Sequence, residues 1–396
     1  MPKSDFSPLY DLHPVLLLGG MENSLSIVRS LGRRGIPVSV AAKEKCFAPF
    51  SRFCNKSYSV PQNVEAKRFW QDLLLSGDNS GLSGSVIFAC NDEAVEFVTE
   101  NESELQKNYI LEYQDRTLRA DMLNKQKTLE LARSVGIPTP NFWEINIFEN
   151  IEEVQNQVLF PALVKPLYSH IFQSHFNKKF FLVKDHSELF NFAKKLLDLK
   201  VKFMICEMVP GPDSLLSSFY TYLTPNGGEL FKYTKRVIRR FPVNHGGACY
   251  HITDWLPETA ELGEKFFKGI QFKGLGNIEF KLDKRDGQLK LIEVNPRITA
   301  AQELLVKSGL DIAFIIYSYL IGAEVPARSI PKRNVRLWYP IKDFKAYREL
   351  RAAGEISFLQ WLQSIAHKQV FPYFAYDDPL PAIKVFLRML SGNSES

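Results

Sequence analysis

Short apolar runs, glycine turns and amphipathic stretches alternate along the first third of the chain. The apolar run Val15–Leu18 follows His13-Pro14 and stops at Gly19-Gly20. An amphipathic stretch over residues 24–33 comes next, and Gly35-Ile36-Pro37 then leads into a second apolar run at 38–42. This order predicts strand, tight turn, helix and strand, with Asn23 as the helix cap. Residues 85–89 form another buried-strand candidate, closed by the polar turn Asn91-Asp92-Glu93. Alternating β and α units imply an open parallel sheet and an α/β fold.

Further along, a polar helical pattern covers 118–135 and ends at Gly136-Ile137-Pro138-Thr139-Pro140, a stop signal followed by a linker. Two strand and helix groups follow, at 160–199 and 202–295, then one long helix over 300–321. The tail from Pro326 carries scattered aromatics (Trp338, Trp361, Phe371, Tyr373) and the turn Tyr376-Asp377-Asp378-Pro379. The expected division is an α/β domain over 1–117, a second domain over 118–325 with two subdomains split near 200, and an accessory segment over 326–396.

Composition narrows the class. A net charge of +5 on 396 residues is small, which argues against a dedicated nucleic-acid binder. Cys46, Cys54, Cys90, Cys206 and Cys249 contain no CxxC pair, so neither a zinc site nor a redox centre is indicated, and reduced thiols fit a cytoplasmic protein. The N-terminal residues include acids and lack the apolar core of a secretory signal. The most apolar helical stretch is about ten residues, where a bilayer span needs roughly 20. A soluble cytoplasmic protein with no membrane or nucleic-acid partner is expected.

The chemistry concentrates in residues 276–297, GNIEFKLDKRDGQLKLIEVNPR. Two strands flank Arg285-Asp286-Gly287, and a three-residue loop ending in glycine is a favoured hairpin connection. That loop places Glu279 opposite Glu293 and Asn277 opposite Asn295. Ile278, Phe280 and Leu282 then share an apolar face with Ile292 and Val294, and the acids point to the other face. Facing carboxylates repel unless a cation lies between them. Oxygen ligands without His or Cys suit Mg²⁺ or Mn²⁺ shared with substrate phosphates. The alternative reading is a solvated hairpin with ordinary surface acids.

The continuation Asn295-Pro296-Arg297 makes this segment resemble the ATP-grasp superfamily. That resemblance implies an ATP-grasp fold preceded by a Rossmann-like preATP-grasp domain, with ATP and Mg²⁺ as cofactors. It implies that Glu279, Glu293 and Asn295 hold the metal, and that Arg297 stabilises the phosphoryl group or a substrate carboxylate. Other segments agree in the right order. Lys165 ends the apolar run Pro161-Ala162-Leu163-Val164 and would reach the α- and β-phosphates; a strand-end lysine that snorkels is the plain alternative. Lys125, in Asn124-Lys125, opens the helix that ends in Gly-Ile-Pro and is a second phosphate candidate. Backbone groups at Glu207, Met208 and Val209 would bind the adenine edge, and Asp213 would lie near the ribose. The stretch from Tyr168 to Lys179 corresponds to the family's phosphate-covering loop, although its usual glycine-rich sequence is not evident.

The segment Phe231 to Arg240 is locally basic and precedes Phe241-Pro242 and Gly246-Gly247. Its pattern resembles the carboxylate–amine ligase branch, which includes D-aspartate ligases, and Arg239 is the best single candidate to hold an acidic substrate. The plain alternative is a solvated strand edge. The implied reaction activates a carboxylate as an acyl-phosphate and couples it to an amine. The expected partners are small carboxylate and amine substrates, with a homodimer allowed by the resemblance. Rival readings are a carboxylase or kinase on the same scaffold, a non-catalytic ATP-binding regulator, and an oxidoreductase using the Gly19-Gly20 turn for a dinucleotide, for which the full fingerprint is lacking.

Overall fold

A computed structural model describes residues 12–77, 81–113, 115–168, 176, 180–327 and 330–391. Most of the expected phosphate-covering loop lies outside these residues. The chain forms two compact units. One takes residues 1–112, 298–331 and 371–396; the other takes 113–297 and 332–370. The residues from 326 onward are therefore shared between the units.

The first unit is built on a four-stranded parallel sheet. Its strands are β1 (Val15–Leu18), β2 (Val38–Lys43), β3 (Cys54–Val60) and β4 (Val86–Ala89), in the order β3-β2-β1-β4. β1 is buried throughout, as its unbroken apolar sequence requires of a strand covered on both faces. β3 went unread in the sequence because CNKSYSV is mostly polar and its residues lie at a sheet edge. The helix Glu22–Gly32 follows the glycine turn and packs against the helices Gln302–Ser308 and Ile312–Leu320. Within it, Arg29 is fully buried and donates through Nε to Asp378 at 2.9 Å, with the Asp378 side chain also accepting from Ser51 Oγ at 2.7 Å.

Three helical expectations change. Asn23 is not the cap: it lies inside the helix, and Met21 holds the N-cap position. Residues 118–135 split into two helices, Arg116–Leu123 and Lys125–Ser134, because Asn124 turns extended and caps the second one through Gln126 N and Lys127 N. The long helix over 300–321 is broken at Gly309, which takes the left-handed φ of 100°, and Asp311 caps the helix that follows.

The second unit contains two antiparallel sheets. The smaller has β5 (Phe142–Ile145), β6 (Ala162–Pro166), β7 (Phe181–Val183) and β8 (Phe203–Glu207) in the order β5-β8-β6-β7. The larger has β9 (Leu216–Leu223), β10 (Glu229–Phe241), β11 (Gly247–Thr253), β12 (Gly274–Asp283), β13 (Gln288–Asn295) and β14 (Arg336–Trp338) in the order β13-β12-β9-β10-β11-β14. One apolar cluster joins Ile278, Phe280, Leu291 and Val294 to Phe266 and Phe267 of the helix Pro257–Gly269 and to Met204 and Cys206 of β8. Gly276 has to be small here, since a Cβ would stand 2.5 Å from the Phe267 ring. The carboxylate hairpin thus presents one face to a tight core and leaves the other for chemistry.

Candidate active site

The hairpin pairs Asn277 with Asn295, Ile278 with Val294 and Glu279 with Glu293, as its alternation implied. Beyond Glu279 the register slips: Phe280 pairs with Leu291, and Asp283 with Gln288. Ile292 is the extra residue of this bulge. The connection is accordingly four residues long, 284–287, with Gly287 at φ 72°. The expected three-residue loop and the core role of Ile292 are both corrected, and Leu289 and Leu291 occupy the apolar face instead. Bulges re-aim side chains locally, and this one restores alternation just as Glu293 is reached.

On the polar face the acids are held in place. Lys125 Nζ lies 3.3 Å from Glu293 Oε1, and Lys125 N donates to Leu167 O at 3.0 Å, which fixes the start of its helix to the end of β6. Lys165 lies on β6, where it pairs with Met204 of β8, and the charges of Lys165 and Lys125 favour the Cys206 thiolate. Burial nevertheless dominates and pushes the Cys206 pKa up. Asn295 Nδ2 donates to Asn277 Oδ1 at 3.2 Å, and Asn277 Nδ2 donates to Phe219 O. This chain orients the Asn295 amide and leaves Oδ1 as its remaining acceptor. Arg297 is half-buried, two residues beyond β13.

Among the described residues, no group of three or more His, Cys, Asp or Glu stands together as a metal cage. Two carboxylates and one amide oxygen would leave several coordination positions open. That donor set fits Mg²⁺, which binds few protein ligands and completes its shell with water and phosphate.

The ladder continues the acidic row into a cation. Glu279 pairs with Ser218 on β9, and Ser218 pairs with Lys235 on β10. Lys235 is almost wholly buried and donates to Ser218 Oγ at 3.0 Å. Burial lowers its pKa, and the nearby Glu279 acts in the opposite direction. His251, one alternation further along the β10–β11 ladder, donates to Ala248 O through Nε2, while its buried Nδ1 has no hydrogen-bond partner among the described residues. Burial holds the His251 imidazole well below its ordinary range, with Lys235 adding to the effect.

The expected basic patch dissolves into separate pairs. Lys232 meets Glu264 at 2.7 Å, Arg236 meets Asp254 at 3.3 Å and Arg240 meets Asp213 at 2.8 Å. Arg239 forks onto Asp343 at 2.6 and 3.0 Å and donates to Ser364 Oγ, with both charged groups buried. Its selection as the substrate arginine is corrected. Register shifts on either side of Arg239 turn it out of the row that Lys235 and Val237 share. The solvated-edge alternative fails too, because β10 lies inside the sheet.

At the hinge, the Glu207 carboxylate accepts from Arg285 at 2.6 Å and from Asn141 N at 3.2 Å. Among the described residues, the backbone groups of Met208 and Val209 have no hydrogen-bond partner, so they remain able to meet a base edge. Asp213 is committed to Arg240 and to the Arg240 and Asn244 amides. Lys281 donates to Gly211 O at 2.7 Å, and burial pushes its pKa down to about 8, with Arg240 adding to the effect.

The first unit's glycine turn is plugged. Ser24 Oγ donates to Gly19 O, Asn23 Oδ1 accepts from Met21 N, and Asn23 Nδ2 donates to Cys90 O and Ile298 O. The amide that a dinucleotide phosphate would seek at this helix start is already bound, which disfavours the oxidoreductase reading.

Residues 259–326 match the family described as carbamoyl-phosphate synthase L chain, ATP binding domain. Over 82–83% of the chain, the fold superimposes with TM-scores of 0.62 on a biotin carboxylase from Campylobacter jejuni (15% identity, 75% of that chain) and 0.61 on a 2-oxoglutarate carboxylase biotin carboxylase domain from Hydrogenobacter thermophilus (17% identity, 73% of that chain). The chain has the ATP-grasp fold. A D-aspartate ligase from Enterococcus faecium is 22% identical to this chain over 238 residues. That match covers 58% of the chain and 56% of the relative, so it spans little more than half of the relative's length. Of the expected site residues, the second unit places Glu279 opposite Glu293, Lys125 on Glu293, and Asn295 in the next non-adjacent pair of the same ladder.

Proposed function

We propose that this protein is an ATP- and Mg²⁺-dependent ligase that couples a carboxylate to an amine. The observation that carries the reading is the pairing of Glu279 with Glu293, with Lys125 on Glu293 and Asn295 oriented beside them. A merely solvated hairpin would have no need of a lysine anchored from another element. Mg²⁺ at this face would supply charge neutralisation for phosphoryl transfer.

The chain's own residues would do the positioning. Lys165 and Lys125 would orient the ATP phosphates, and Arg297 would meet charge developing on the transferred group. A carboxylate oxygen of the acid attacks the γ-phosphorus, and ADP leaves. The amine nitrogen then attacks the acyl carbon, phosphate leaves, and the nitrogen loses a proton. Lys235, in the same ladder row as Glu279, would hold the acidic substrate, the role first expected of Arg239.

ADP release from ATP and Mg²⁺ across a panel of amino acids and other carboxylate–amine pairs tests this reading, with Glu293→Ala measured in parallel. ADP formation that requires both an acid and an amine, and is lost in the variant, is the expected result. ADP formation from ATP and a single acceptor, or from bicarbonate, would replace the ligase reading with a kinase or carboxylase. A folded protein that does not bind ATP would refute it altogether.

A further inference from the structure

The last described helix, Leu380–Leu390, is mounted inside out. Its two cations face its own unit. Lys384 Nζ lies 5.2 Å from the Phe50 ring centroid, the Arg388 guanidinium lies 5.9 Å from that of Phe47, and Arg388 Nη1 donates to Glu44 O at 3.3 Å. Its large apolar side chains face outward: Leu380 is 45% exposed, Ile383 49%, Phe386 58%, Leu387 52% and Leu390 70%. A surface helix ordinarily does the reverse. A cation–π contact at an exposed site contributes less than the burial of one such apolar side chain would. The arrangement is stable as a surface only if something covers the apolar face.

Leu380, Ile383, Leu387 and Leu390 recur at steps of three, four and three, the spacing of a seam between two packed helices. We propose that this face is the contact of a symmetric homodimer, in which the helix packs antiparallel on the same helix of a second copy. Such a seam is self-complementary about a twofold axis. It carries no charged side chain, and the lysine and arginine that would recruit an anionic membrane are turned inward. The five side chains expose on the order of 100 Å² each, so two copies would cover roughly 1,000 Å², the lower bound for a specific interface. Phe374 and Tyr376, 41% and 94% exposed and stacked edge to face at 5.1 Å, extend the apolar surface in the segment leading to the helix.

Sedimentation of the full chain decides the proposal. The wild type is expected to sediment as a dimer, and Leu387→Glu to weaken association at least ~30-fold while unfolding at the same temperature. Leu387→Cys is expected to give a covalent dimer with a short bismaleimide, which the wild-type thiols do not give. A monomeric wild type overturns the proposal, as does a dimer indifferent to both substitutions. Flotation of a monomeric wild type with phosphatidylglycerol vesicles, lost in Leu387→Glu, would assign the face to a membrane and also overturn it. None of these readouts depends on ligase activity.

Discussion

Glu279 lies directly across the ladder from Glu293, and the register slips by one residue immediately beyond them. The bulge at Ile292 separates a strictly alternating acidic end from a differently phased apolar end. Two like charges are thereby fixed face to face, a cost that cation binding would reverse.

That reversal predicts a ligand-linked stability change. At Mg²⁺ and ATP about 100-fold above their dissociation constants, the wild type is expected to gain ~2.7 kcal/mol. Glu293→Gln should abolish most of the gain while leaving the ligand-free protein no less stable than the wild type by more than about 1 kcal/mol. Thermal melts with and without MgATP measure both.

Lys235 is the cation that the ladder places in the acidic row. Lys235→Met replaces a buried ammonium by an apolar chain of similar length, so folding should survive. Under the ligase reading, KM for the acid should rise at least ~10-fold and KM for ATP by less than ~2-fold. Steady-state kinetics with each substrate varied in turn separate the two, and an equal rise in both would assign Lys235 to the nucleotide instead.

Arg239 is structural, because Asp343 and Ser364 consume its guanidinium. Arg239→Ala leaves Asp343 buried and unpaired, and should cost about 3–5 kcal/mol. The double variant Arg239→Met/Asp343→Leu should recover much of that loss. Urea denaturation of the three proteins checks it.

Asp283 gives the hairpin a pH signature. The Arg285 guanidinium, joined by Lys290, holds its carboxyl well below the usual carboxylate range. A depressed folded-state value means that its stabilisation is complete above the ordinary range near pH 4 and disappears as the pH falls through the folded value. Asp283→Asn should therefore destabilise by on the order of 1–2 kcal/mol at pH 7. The gap to wild type should narrow steadily below about pH 4. Denaturation midpoints between pH 2 and 7 measure the difference.

Local pattern was sufficient for several elements. The strands at 15–18 and 86–89 are unbroken apolar runs, and that at 38–43 is interrupted only by Ser39 before its closing Lys43; such runs, ended by glycine or polar turns, have few other outcomes. The facing of Glu279 and Glu293 also followed from alternation, because the phase of a strand is set by which residues must be buried. β3 stayed hidden because an edge strand needs no apolar signature. Asn124 and Gly309 broke two helices whose side-chain pattern ran straight through them; whether a break occurs depends on what the backbone packs against.

The sequence by itself determined the fold class and the carboxylate hairpin, since periodicity, turn residues and the E-x-N-P-R string are local properties of the chain. Only the tertiary structure decided which cation belongs to which anion. Arg239, Arg240 and Lys235 are chemically similar neighbours on one strand, yet their partners Asp343, Asp213 and Ser218 come from three distant segments. It likewise decided that Lys125 meets Glu293, and that Arg388 and Lys384 face inward beneath an exposed apolar seam. Pairing and facing depend on where remote elements dock, and spacing along one segment carries no record of that.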